Sequence, residues 1–156
     1  MSFDRIAPHY RWMEFVLAGE KLQRCRTAFL DLVGAPKDVL ILGEGHGRFL
    51  LECRRRIPSA LITCVDSSER MLAVARQRLK RTGLPEERVR FVHADALSWN
   101  GSAAAADLLV TQFFLDCFRA DQLGPLVARL ASLSKPEAAW LVADFQAPAG
   151  GIPRLR

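Results

Sequence analysis

A chain of 156 residues, half of them hydrophobic and a quarter charged, is long enough for a single core and has the make-up of an ordinary globular domain. No apolar run approaches the roughly 20 residues of a membrane span, and the first residues, Met1-Ser-Phe-Asp-Arg5, show no apolar signal stretch. The formal net charge of +5 rests on Arg54–Arg56 and on Arg70, Arg76, Arg78, Lys80 and Arg81, with no aromatic residues between them. These stretches read as solvated helix faces and not as a nucleic-acid footprint. Cys25, Cys53, Cys64 and Cys117 are scattered without a CxxC pair, so the expectation is reduced thiols in a cytoplasmic protein with no metal and no disulfide.

Near the start, Ile6, Tyr10, Trp12, Met13, Phe15, Val16 and Leu17, followed by Leu22, Ala28, Phe29, Leu30 and Val33, suit two helices broken near Gly19. Gly34-Ala-Pro36 stops the second one. Residues 1–36 therefore read as a helical cap. From Lys37 strands and helices alternate. Val39–Leu42 is a strand, Arg48–Arg56 a helix ended by Pro58, and Leu61–Val65 a strand. Ser67 or Ser68 is a suitable N-cap, with Glu69 favourable in the first turn of a helix running to about Arg81. Gly83-Leu-Pro85 turns the chain into the strand Val89–His93. A strand Asp107–Thr111 follows, then a helix Asp121–Leu133 and a last strand Ala138–Phe145. Five strands with four connecting segments predict an α/β fold: a three-layer, doubly wound, mostly parallel sheet over residues 37–146. Residues 147–156 carry no strand or helix pattern and read as a tail on what is one domain overall.

In such a sheet, ligands sit outside the carboxyl ends of the strands. The first strand ends in Gly43, Gly45 and Gly47, whose backbone angles are open to conformations other residues avoid. Asp66 ends the second, nineteen residues after Gly47, with Ser67 and Ser68 behind it. Asp95 and Ala96 follow the third. Thr111 and Gln112 end the fourth, ahead of Phe113, Phe114, Leu115 and Asp116, and Asp144 lies at the end of the fifth. Taken singly, the glycines make a tight turn, Asp66 a helix cap and Asp95 a loop cap. Together they suit an adenosine, its ribose hydroxyls held by a carboxylate beside a glycine loop. Two ligands compete, a nicotinamide dinucleotide and S-adenosylmethionine. The dinucleotide fingerprint places its third glycine where this chain has Arg48. Asp95 supplies the acceptor that an adenine amino group needs, which favours the sulfonium ligand.

Three segments, VLILGEGHG, ITCVDSSERMLAVARQRL and VRFVHADAL, resemble the class I S-adenosylmethionine-dependent methyltransferases, whose fold is Rossmann-like. The resemblance implies that Gly43, Gly45 and Gly47 contact the methionine and ribose part of the cofactor. It places Asp66 on the ribose hydroxyls and Asp95 on the adenine amine, with Met71 flanking the ring and Ser67, Ala96, Thr111 and Gln112 around it. The opening FDRIAPHYRWM looks like the N-terminal helix of quinone-type and other small-molecule C-methyltransferases, which would bring Tyr10 near the methionine end. Two features depart from the family. Its usual carboxylate two residues before the first loop glycine is replaced by Ile41; Glu44, or backbone carbonyls near Gly43 and Thr111, would then receive the cofactor's amino group. The family's sheet ordinarily has seven strands, the last two an antiparallel hairpin, whereas this sequence is expected to lack that hairpin and to be truncated after its fifth strand.

Methyl transfer needs a base only where the acceptor must lose a proton. Asp116, behind the aromatic pair Phe113-Phe114, and His46, in a loop position able to face solvent, are the candidate catalytic residues, with His9 a further one; His93 reads as structural. The expectation is a methyltransferase domain acting on a small organic acceptor, without nucleic-acid or membrane partners. An uncharged apolar fifth strand at the sheet edge predicts a homo-oligomer formed through it. A catalytically inactive binding or self-associating module and an NAD-dependent oxidoreductase are the alternatives.

Overall fold

The structure, a computed structural model, describes residues 19–102 and 105–145. The first predicted helix, His9, Tyr10 and the tail lie outside them. Helix α1 (Gly19–Thr27) leads through a short 3-10 turn (Leu30–Leu32) into β1 (Asp38–Leu42). There follow α2 (Arg48–Arg56), β2 (Leu61–Asp66), α3 (Glu69–Arg81), β3 (Val89–His93), β4 (Ala106–Gln112), a 3-10 turn (Leu115–Cys117), α4 (Ala120–Ser132) and β5 (Ser134–Ala143). All five strands are parallel, in the order β3-β2-β1-β4-β5. The predicted Rossmann-like α/β architecture is the one observed. Strand order reverses between β1 and β4, where Leu42 stands opposite Thr111 on one side and Val65 on the other.

The alternation of β1 divides the core. Val39 and Ile41 join Leu30, Phe49, Leu50, Cys53 and Ile57 on one face, while Leu40 and Leu42 meet Leu126, Leu130 and Leu133 on the other. Burial on both faces is what a continuous apolar strand in a parallel sheet requires. Each such Leu, Ile or Phe stabilises the fold by about 1.5–3 kcal/mol relative to exposure. This packing fixes where β1 ends, and therefore where the glycine loop begins.

Three expectations need correction. The second N-terminal helix stops at Thr27 instead of running to the Gly34 turn; there the Thr27 hydroxyl donates to the Gln23 carbonyl at 3.0 Å, a side-chain bond that competes with helix continuation. Arg54 is not solvated. It is 3% exposed, and its guanidinium donates to the Pro58 carbonyl at 2.8 Å, so it closes the end of α2. The last strand starts at Ser134 rather than Ala138 and ends at Ala143. Pro136 inside it is tolerated because β5 has a neighbour on one side only among the described residues.

Candidate cofactor site

The three loop glycines all have positive φ, at 65°, 65° and 82° for Gly43, Gly45 and Gly47, but they serve different ends. A Cβ on Gly43 would collide with the Phe114 ring. One on Gly47 would lie 2.8 Å from the Ala75 Cα, so Gly47 lets the start of α2 approach α3. Around Gly45 a Cβ would meet nothing within 4 Å among the described residues. Of the three, Gly45 alone has an open flank among the described residues.

Asp66 stands beside that flank. Its Oδ2 accepts from the Gly45 N–H at 3.1 Å and its Oδ1 from the Ser68 N–H at 2.9 Å. The carboxylate is thus both a cap for the following turn and a fixed wall of the loop. Ser68, not Ser67, is the N-cap of α3, its hydroxyl accepting from the Met71 N–H at 3.3 Å. Ser67 is exposed, and its carbonyl accepts from His93 Nε2 at 3.1 Å. Met71 is half-buried in the first turn of α3. Asp95 is exposed at the end of β3, with Oδ1 accepting from the Leu97 N–H at 2.9 Å, and Ala96 behind it is buried.

Glu44 lies inside the loop with its carboxylate turned to the protein. Its Oε1 accepts from the N–H groups of Phe49 (3.0 Å) and Leu50 (3.1 Å) in the first turn of α2, where the helix dipole favours negative charge. Burial still dominates and raises its pKa to about 7, against the lowering by those two N–H groups and by the Arg26 guanidinium. His46 was expected to face solvent; it is buried, 6% exposed, because Gly47 draws the loop down onto α3.

Thr111 is fully buried, and its hydroxyl accepts from the Trp140 indole N–H at 2.9 Å. Only its backbone is therefore available at the strand tip. The Gln112 amide donates to the Arg26 carbonyl at 2.6 Å. The next residue, Phe113, has φ 53°, an unusual conformation for a bulky side chain. It is held there by its N–H bond to the Ala143 carbonyl at 2.6 Å and by its ring contacts with Phe145 and Arg26. This bend directs Phe114 against Gly43, with Phe118 edge-on at 5.0 Å.

Asp116 is exposed and neighbours Asp144 from the end of β5, whose Oδ2 accepts from the Asp116 N–H at 3.2 Å. Partial burial, then the Asp144 charge and a hydrogen bond between the two carboxyls, raise the Asp116 pKa. The Cys117 thiol donates to Asp116 Oδ1 at 3.6 Å, and burial together with the Asp116 charge pushes that thiol up to about 11. Among the described residues no group of His, Cys, Asp and Glu has the arrangement of a metal site.

A glycine loop at the reversal of a parallel sheet, with carboxylates at the tips of β2 and β3, defines an α/β nucleoside-binding domain. Residues 39–137 match the model of the methyltransferase domain family, and the chain belongs to that family. Membership implies S-adenosylmethionine as the cofactor. A demethylmenaquinone methyltransferase of Thermus thermophilus is 35% identical over 155 residues, covering 96% of this chain and 66% of the relative. One of Deinococcus radiodurans is 28% identical over 152 residues, covering 96% and 61%. The chain therefore spans about two thirds or less of the length of these relatives. Among solved structures, the mitomycin 7-O-methyltransferase MmcR superposes with a TM-score of 0.73 at 21% identity, covering 96% of this chain and 45% of that one. At that identity the likeness shows the shared fold.

Proposed function

We propose that this chain is an S-adenosylmethionine-dependent methyltransferase acting on a small organic acceptor of the quinone kind. The observation that carries the reading is the open flank of Gly45 beside the oriented Asp66 carboxylate. The flank is open among the described residues, and its polar wall is already set by the Asp66 hydrogen bonds. The cofactor supplies a methyl group on a sulfonium, transferred by in-line displacement. In this reading Asp66 receives the ribose hydroxyls and Asp95 the adenine amine. Met71, Ser67 and Ala96 flank the base, while the backbone of Gly43, Gly45, Thr111 and Gln112 borders the methionine end, to which the sequence resemblance alone also assigns Tyr10, outside the described residues. The acceptor class comes from the demethylmenaquinone methyltransferases among the relatives. The chain's own contribution is alignment and exclusion of water, worth several kcal/mol through proximity. Asp116, its basicity raised beside Asp144, takes a proton from acceptors that must lose one, which is where a raised carboxyl pKa helps.

A dinucleotide fits less well. Gly47 is consumed by the approach of α2 to α3, and Arg48 occupies the third fingerprint position. Calorimetry with S-adenosylhomocysteine and NAD tests the reading: the parent binds the first and not the second, and Asp66→Ala loses at least tenfold in affinity. Unchanged binding in Asp66→Ala, or a preference for NAD, would overturn it. A methyl-transfer assay on a demethylated naphthoquinone, in the parent and in Asp116→Asn, then separates an enzyme from an inactive binding module. We also propose a cytoplasmic location, supported by four free thiols, and self-association through β5.

A further inference from the structure

Glu44 is the one loop carboxylate that the cofactor reading leaves without a task once its side chain is seen to face α2. Its Oε1 bonds two successive N–H groups of the first turn, Phe49 and Leu50. The next residue, Gly45, donates its N–H to Asp66. Any movement of Glu44 off the helix therefore pulls on the residue with the open flank. The same carboxylate is a buried acid one residue from Gly45, in a loop whose proposed ligand changes charge during the reaction. S-adenosylmethionine carries a sulfonium cation, and the S-adenosylhomocysteine left after methyl transfer carries a neutral thioether in its place.

We propose that Glu44 is a positioning and specificity-determining residue, which pins the glycine loop to α2 and, when ionised, makes the site prefer the sulfonium ligand over the neutral thioether. The inference rests on the adenosyl ligand assigned above and deepens it. Charges attract through the low-dielectric interior more strongly than across water. A buried carboxylate under the loop thus favours the cation and leaves the thioether almost unaffected. By linkage, the cation in turn favours the ionised carboxylate.

The groups facing Glu44 come from four places. Arg26 of α1 lowers its pKa and Asp66 of β2 raises it. Cys53 of α2 and Cys64 of β2 also feel its charge, but burial pushes the first thiol up to about 12 and the second well above its ordinary value. Both stay neutral through the physiological range. His46 belongs to the same loop. With Glu44 titrating near 7, its charge appears between about pH 6 and pH 8.

Calorimetry of S-adenosylmethionine and S-adenosylhomocysteine at pH 6 and pH 8 tests this, in the parent and in Glu44→Gln, which keeps an acceptor for Phe49 and Leu50 without the charge. Any titration of the ligands' own amino groups is common to both proteins and cancels in the comparison. In the parent, the affinity ratio of sulfonium to thioether ligand rises about three- to tenfold from pH 6 to pH 8 relative to the variant. A ratio with the same pH dependence in both proteins would overturn the proposal. A second readout needs no ligand. A folded pKa raised from 4.5 to about 7 means that stability is full below about pH 4.5 and is lost as pH rises through 7. The parent's melting temperature therefore falls between pH 5 and pH 8, and that of Glu44→Gln falls less; equal slopes would also overturn the proposal. If the parent binds neither ligand while its melting slope differs from the variant's, the cofactor reading fails and the loop-pinning carboxylate remains.

Discussion

Three glycines that look alike in the sequence have three different tolerances. Each sits at positive φ, so a side chain costs about 1–2 kcal/mol in backbone strain alone. Gly47→Ala adds a clash with the Ala75 backbone at 2.8 Å, and overpacking of that kind costs about 1–3 kcal/mol more. Gly43→Ala drives the Phe114 ring away from the loop. Gly45→Ala meets no atom of the described residues within 4 Å, so its expected cost is the strain, while its methyl group enters the proposed ligand space. The expected outcome is an inversion. Urea unfolding ranks Gly47→Ala as less stable than Gly45→Ala, whereas S-adenosylhomocysteine binding is hurt at least as much by Gly45→Ala. A Gly45→Ala protein that binds like the parent would remove Gly45 from the site. The spacing of the glycines was legible in the sequence, but which one faces the ligand was not, because the partners, Phe114 and Ala75, come from distant elements.

At the scale of elements, the end of the sheet opposite the site is tied by a single side chain. Asp107 at the start of β4 accepts from the N–H groups of Lys37 and Asp38, each at 2.9 Å, and from Lys135 Nζ at 2.6 Å. It therefore joins the first residues of β1, β4 and β5. The Lys135 hydrogen bond, followed by that from the Asp38 N–H, lowers its pKa to about 2. A depressed folded value means that the stabilisation is complete above the ordinary 3.8 and is lost as pH falls through about 2. Asp107→Asn should cost about 1 kcal/mol at pH 7, as read by urea unfolding, and the difference from the parent should shrink between pH 4 and pH 2. A gap that stays constant over that range would show that the charge contributes nothing. The same element explains a sequence-level error. The last strand, expected from Ala138, starts earlier because the Asp107–Lys135 pair and the Ala106–Ser134 pairing draw Lys135 and Pro136 into β5.

For the molecule as a whole, the sheet has two edges among the described residues, β3 and β5. The β3 edge carries the exposed Arg90, and its half-buried Phe91 is covered by Arg76 at 4.9 Å; charge of this kind discourages strand pairing. On β5, Val142 is 52% exposed, and Phe145 just beyond it is 61% exposed. The structure also sets Lys135 and Glu137 in the strand, so charge lies at its beginning and its apolar part is Ala138–Ala143. Static light scattering after size exclusion should show a concentration-dependent dimer, which Val142→Lys returns to monomer. A parent that stays monomeric at high concentration rules out pairing through this edge.

The order of the strands and the parallel sheet were contained in local pattern: apolar runs of strand length and helical periodicity, with the glycines and carboxylates that the proposed site uses legible at the strand tips. Local pattern suffices there because each feature expresses a backbone preference or a burial requirement of its own segment. The tertiary structure decided what depends on distant partners. It turned Glu44 onto α2, buried His46 and Arg54, and set Asp144 beside Asp116. Hydrogen bonds and desolvation depend on which elements meet in space, and that is settled only when β1 and β4 align their ends.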